Sequence, residues 1–336
     1  MDETSVRERR YYSAQHADHP IHNSCLARVV GMIGFSDDQL LRMADAALKK
    51  GELSQGRELL RKVSELKRPK HLLADVTYRL AKQHIALGRY EPARELFAEV
   101  TQTHPSNVAR SLSQERNQLI NRISSRKQSS VTDLRSLFVE VQVKTARSIA
   151  PEMLLPDISF VGCPAAYRSG YDRQRNDPLS VLVRMMKKGV EETTVQRLGQ
   201  YLAAYIYSSI PTLGHVDFVI PVPTRPERAT QRGYSIPRIL AEEVSRLCAI
   251  PLHEEFVRTS GESIELRDIP KWYRKYAVDG AFEIGRRAEW LSGQVPLIID
   301  DVITTGSTVK KVARLLRSGN AKDVYAVALA HTEWSG

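Results

Sequence analysis

The stretch Val295 to Ala313, VPLIIDDVITTGSTVKKVA, constrains the fold of this chain more than any other. Val295 to Ile299 reads as a buried strand, ended by two adjacent carboxylates, Asp300 and Asp301. A hydroxyl-rich turn, Thr304-Thr305-Gly306-Ser307-Thr308, comes next, and then an amphipathic helix. Open α/β sheets bind ligands beyond the carboxyl ends of their strands. A helix start there offers unpaired backbone N–H groups and a partial positive charge to a phosphate. Gly306 lets the backbone approach that phosphate, and the hydroxyls add donors. The acids suit the opposite chemistry: they accept from sugar hydroxyls or hold a hydrated Mg²⁺. A group with a phosphate at one end and a diol at the other fits this layout, and ribose 5-phosphate is such a group. A plain strand–turn–helix has no need of two consecutive acids at that place.

IIDDVITTGST resembles the phosphoribosyl-diphosphate (PRPP) signature of type I phosphoribosyltransferases. One strand upstream, VDFVIPV (216–222) empties into PTRPERATQRGYS and a helix over 236–249. With that second segment the resemblance narrows to the ComF family, competence-associated relatives of these enzymes, over roughly Val161 to Thr332. Tyr171, Met186-Lys187-Lys188-Gly189, Pro221-Val222-Pro223, Arg232-Gly233-Tyr234, Arg258, Arg274 and Gly280-Ala281-Phe282 fall in family order. Three departures stand out. The family's zinc-binding cysteine pairs are missing, so no zinc is expected. Tyr234-Ser235-Ile236 replaces the usual Phe-Asn-Gln, and Ala277 replaces a usual asparagine.

The resemblance implies an α/β domain of the type I phosphoribosyltransferase kind, with a Rossmann-like parallel sheet. It implies Mg²⁺-dependent displacement of diphosphate from C1 of PRPP, with no covalent protein nucleophile. Thr304, Thr305, Gly306, Ser307 and Thr308 would bind the 5-phosphate; Asp300 and Asp301 would hold the ribose hydroxyls and the metal. Arg225, Arg232, Gly233 and Lys271, with Arg228 as a further candidate, would neutralise the diphosphate, and Arg274 would assist catalysis. The long polar segment TSGESIELRDIPKWYRKYAVDG would close over the bound sugar. Two other readings follow from the same resemblance. One is a PRPP or nucleotide sensor without turnover. The other is an effector or adaptor of a DNA-uptake or retron-type defence module.

The first half has a different periodicity. From Asp37 to Pro105 apolar residues recur at three- and four-residue intervals, the mark of helices. Two units, 44–66 and 81–105, align at a spacing of 37 residues, each passing through a glycine (Gly51, Gly88) into a helix containing Arg-Glu-Leu. They resemble tetratricopeptide repeats, with Ala81, Gly88, Tyr90, Ala93, Phe97 and Pro105 in the expected places and Gly56 standing for a usual alanine. Helices near 20–36 and 107–123 would flank them. The expected organisation is an extension over 1–36, an all-α, TPR-like domain over 37–123, a polar linker over 124–133 and the phosphoribosyltransferase-like domain over 134–336, beginning with an alternating strand within 134–145.

Charge follows this division. Residues 1–150 hold 25 Lys and Arg against 17 Asp and Glu, while the remainder is nearly balanced, so most of the net charge of +10 lies away from the acidic pair. A well-solvated helical surface and a docking face for nucleic acid or an acidic protein are both consistent with that surplus. Neither a long apolar run nor an apolar leader at the N-terminus is present, and the three cysteines are widely spaced. The cytoplasm is therefore the expected compartment, with no membrane partner. The resembled enzymes commonly dimerise, which makes a homo-oligomer an expectation too.

Overall fold

The computed structural model describes residues 35–125, 157–167, 178–209, 213–260, 282–285 and 288–332. Its first part is five helices: α1 (Asp37–Lys49), α2 (Leu53–Lys62), α3 (Lys70–Ala86), α4 (Tyr90–Thr103) and α5 (Asn107–Ser125). Ser36 starts the series with a capping box, its hydroxyl taking the Gln39 N–H while the Gln39 side chain returns to the Ser36 N–H. The 37-residue repeat is visible in the turns. Lys50, Gly51 and Glu52 donate to Ala46, Leu48 and Ala47; Leu87, Gly88 and Arg89 donate to Gln83, Ile85 and His84 in the same pattern. Both glycines have φ near the left-handed region, +82° and +69°, so each turn ends its helix the same way. Gly56 has a local reason: a Cβ there would lie 2.4 Å from Leu48 Cδ2, so an alanine would require the Leu48 side chain to shift. The expected helix near 107–123 is α5. Of the extension expected over 1–36, residues 1–34, and with them all but the last two positions of the helix expected near 20–36, lie outside the described residues, as does the strand expected within 134–145.

The second part is a parallel sheet between helices. Its strands are β1 (Phe160–Gly162), β2 (Ala165–Tyr167), β3 (Phe218–Pro221), β6 (Pro296–Ile303) and β7 (Tyr325–Thr332), in the order β1-β7-β6-β3 with β2 continuing the pairing along β7. A separate antiparallel pair, β4 (Val257–Thr259) and β5 (Phe282–Ile284), flanks the segment 261–281, which lies outside the described residues. The middle strands are apolar on both faces, as parallel strands buried between layers must be. On one face Leu297, Ile299 and Val219 pack under α7 (Glu192–Ser209) and α9 (Ile236–Cys248), with Val183 and Met186 of α6 (Pro178–Lys188) joining them. On the other, Ile298, Phe218 and Ile220 pack against Val309, Val312 and Leu316 of α10 (Ser307–Ser318). A further short helix, α8 (Pro226–Arg232), follows β3.

Two boundaries differ from the sequence reading. The acidic pair does not end β6 but lies within it, since pairing to β7 continues through Ile303↔His331. Two apolar residues, Val302 and Ile303, follow the acids and are buried, which prolongs the ladder. The stretch PTRPERATQRGYS is not all loop: Pro226 occupies the first helical turn, where its missing N–H costs nothing, and seven residues form α8.

The helical domain is locked to the sheet domain by buried polar groups. Lys82 Nζ donates to Asp217 Oδ1 at 2.7 Å and to the His215 carbonyl at 3.1 Å; the Tyr78 hydroxyl donates to the same Asp217 oxygen at 3.0 Å. The other Asp217 oxygen accepts the Val295 N–H at 2.8 Å. Arg116, 1% exposed, donates to the carbonyls of Val216, Asp217 and Ala249. These contacts gather just before β3 and β6, at the opposite end of the strands from the acidic pair.

Candidate functional site

The carboxyl end of β6 gathers most of the expected site. The carboxylates of Asp300 and Asp301 stay side by side, hydrogen-bonded to each other, with Lys187 near both. Asp300 is buried, and its Oδ1 accepts the Asp301 N–H at 2.8 Å. Burial, reinforced by the neighbouring Asp301 charge, holds the Asp300 carboxyl well above the usual carboxylate range. Asp301 is more open, its side chain 18% exposed; Oδ1 accepts the Val302 N–H at 2.7 Å, and Oδ2 lies 3.7 Å from Lys187 Nζ.

Thr304 and Thr305 are exposed in the turn that follows. Gly306, buried and with φ +70°, immediately precedes α10 and turns the chain into it. Ser307 and Thr308 belong to the first helical turn, where N–H groups have no partner within the helix. Thr305 Oγ1 bonds to Ser307 Oγ at 3.0 Å, so the hydroxyls sit on the same side of the turn. Thr304 to Thr308 thus follow the acids by three residues and lead directly into the start of α10.

The second set of expected residues is partly placed. Arg225 precedes α8, half-buried; Arg228 is exposed on that helix. Gly233 ends α8 with φ +81° and open space where a Cβ would stand. Thr224 and Ser235 close the base of this segment through a 2.7 Å hydroxyl contact. Arg232 turns inward and donates its Nε–H to the Lys187 carbonyl at 3.1 Å. Lys271 and Arg274 lie outside the described residues.

Lys187 is the residue that sequence reasoning did not place. Its carbonyl holds Arg232 and its ammonium approaches Asp301, so it joins the two halves of the site. The signal was present in Met186-Lys187-Lys188-Gly189, but cations in a helix's last turn ordinarily just complement its dipole. Cys163, the one cysteine near the missing zinc pairs, is buried, and that burial pushes its thiol up to about 12.

The residues can accommodate a divalent cation only in a shared manner. No group of three or more His, Cys, Asp or Glu is gathered among the described residues. Asp301 offers an accessible carboxylate oxygen beside buried Asp300, a donor set suited to hydrated Mg²⁺ that completes its shell with substrate oxygens.

Parallel sheet, helices on both faces, and acids followed by a glycine-capped helix start define a type I phosphoribosyltransferase domain, of the ComF-like kind, behind an N-terminal helical domain. Residues 253–333 match the phosphoribosyl transferase domain family. Among its relatives, competence protein F of Haemophilus influenzae is 28% identical over 157 residues, 46% of this chain and 68% of that protein. The DNA utilization protein YhgH of Shigella flexneri and of Escherichia coli O6:H1 are each 27% identical over the same shares. No helix among the described residues is long and apolar enough to cross a membrane.

Proposed function

We propose that the protein binds PRPP at the carboxyl end of β6 and transfers its ribose 5-phosphate to an acceptor, releasing diphosphate. The observation that carries this reading is the Asp300-Asp301 pair followed, within one turn, by Gly306 and the start of a twelve-residue helix. Thr304 to Thr308 bind the 5-phosphate through backbone N–H groups and hydroxyls. Asp301 accepts from the ribose hydroxyls, and Asp300 fixes it by accepting its backbone N–H. Charge grows on the ribose ring as diphosphate leaves, so the residues act chiefly by positioning and by stabilising separated charge. Arg225 and the backbone at Gly233 face the diphosphate; Lys271 and Arg274 are proposed to join them. Asp300 and Asp301 would hold Mg²⁺, which would supply Lewis-acid stabilisation of the negative charge on the leaving diphosphate. Diphosphate release from PRPP, measured across a panel of bases with Mg²⁺ and repeated in Asp300→Ala/Asp301→Ala, tests the reading. Release that survives the double substitution overturns it.

A second reading is favoured by the relatives' names and by the basic first half. In this reading the PRPP site serves DNA uptake or a defence module as a sensor, and the helical domain holds nucleic acid. Tight PRPP binding without diphosphate release, together with DNA affinity that falls steeply as salt rises, is its signature. DNA association indifferent to salt contradicts it.

A further inference from the structure

Lys187 sits where two subsites meet. Its ammonium lies 3.7 Å from Asp301 Oδ2 with the side chain 36% exposed, so the pair is a loose one. Its backbone, by contrast, is fixed. Arg232 Nε donates to the Lys187 carbonyl at 3.1 Å. Three residues on, the Tyr234 hydroxyl donates to the Val190 carbonyl at 2.8 Å and accepts the Val190 N–H at 3.1 Å. Gly189, with φ +100°, makes the turn between them. The end of α6 is thus pinned to the segment around Gly233 while the lysine side chain reaches toward the acids.

The contested atom is Asp301 Oδ2. A ribose hydroxyl or a hydrated cation that engages this oxygen competes with the ammonium for it. Lysine is suited to such an exchange: a compact charge on a flexible four-carbon stem turns between partners where the planar fork of arginine would hold one geometry. Its backbone is anchored to the loop around Gly233, so an anion bound in that loop is a new partner open to the displaced ammonium.

We propose that Lys187 is a displaceable counter-ion. It neutralises Asp301 in the ligand-free protein, and when the ribose or a divalent cation takes that carboxylate it turns to the diphosphate of the bound sugar. The proposal rests on the PRPP reading above and deepens it. Arg232 becomes in this account a positioning residue that holds Lys187, rather than a diphosphate ligand in its own right. Whichever group takes the carboxylate, a hydroxyl donor or a cation, the lysine's charge reappears where the leaving group gathers negative charge.

The test compares wild type with Lys187→Met in two titrations, one with Mn²⁺ alone and one with PRPP and Mg²⁺. Removing the competitor should tighten Mn²⁺ binding about two- to fivefold, the scale of a partly exposed ion pair. Loss of a charge-assisted contact to diphosphate should weaken PRPP about tenfold or more. Opposite signs in the two titrations are what a merely structural lysine cannot produce. In an Asp301→Asn background the Mn²⁺ gain should vanish. Unchanged affinities, or both weakened together alongside a lower melting temperature, overturn the proposal while leaving PRPP binding by the wild type intact. Failure of the wild type itself to bind PRPP would instead remove the reading on which the proposal rests.

Discussion

At Asp300 the interests of stability and of the site diverge. Its carboxyl is buried beside a second one, and its proton affinity is raised in the folded chain. A group raised in this way binds more protons folded than unfolded, so between its unfolded and folded values stability falls as pH rises. Asp300→Asn should therefore melt higher than wild type at pH 8, by about 2–4 °C for each kcal/mol of relieved repulsion. The gap should close as pH falls through the range where the wild-type carboxyl regains its proton. A wild-type protein that keeps its lead at pH 8 and loses it on acidification would show the shift to run the other way.

Gly306 makes a second residue-scale prediction. Its φ of +70° is a conformation that a β-branched side chain resists by roughly 1–2 kcal/mol. Gly306→Val should lower the melting temperature by a few degrees and weaken PRPP binding more than tenfold, because the added methyl groups would also intrude where the proposed 5-phosphate sits. Calorimetry and titration on the same preparation check both. An unchanged affinity would place the phosphate elsewhere.

Among the elements, the strand–turn–helix unit was legible because its chemistry is local: the acids, hydroxyls and Gly306 are consecutive, and no long-range contact is needed to find them. The 37-residue helical repeat was legible for a similar reason, and the turns at Gly51 and Gly88 share their hydrogen bonds. What local pattern could not reveal is depth. Asp300 and Asp301 look equivalent in sequence, yet pairing of β6 to β7 through Ile303 buries one and leaves the other accessible. The same limit hid Lys187, whose significance comes from Asp301, more than a hundred residues away. Helix packing supplies a test at this scale. Gly199 of α7 lies against α9, and a Cβ there would stand 2.7 Å from Glu243 Cβ, a side-chain root that cannot swing aside. Gly199→Ala should cost about 1–3 kcal/mol, read from chemical denaturation, as the two helices part. A neutral substitution would mean that they can separate freely.

Across the whole molecule, the helical and sheet domains read in sequence as separable units, but the junction argues for one cooperative structure. Lys82 and Asp217 are both buried, and removing the lysine strands a carboxylate that also holds Tyr78 and the Val295 amide. Lys82→Met should cost about 3–5 kcal/mol and still unfold both domains in one transition. Two separated transitions would show the domains to be independent. Since this junction lies away from the acidic pair, the variant's residual folded fraction should keep its affinity for PRPP.

Calorimetric titration of PRPP with Mg²⁺ into the wild-type protein and into Asp300→Ala/Asp301→Ala tests most directly whether a sugar phosphate binds at the carboxyl end of β6. Saturable one-site binding by the wild type, weakened at least tenfold in the double variant, is the predicted result. No binding by the wild type, or equal binding by both proteins, would contradict the account.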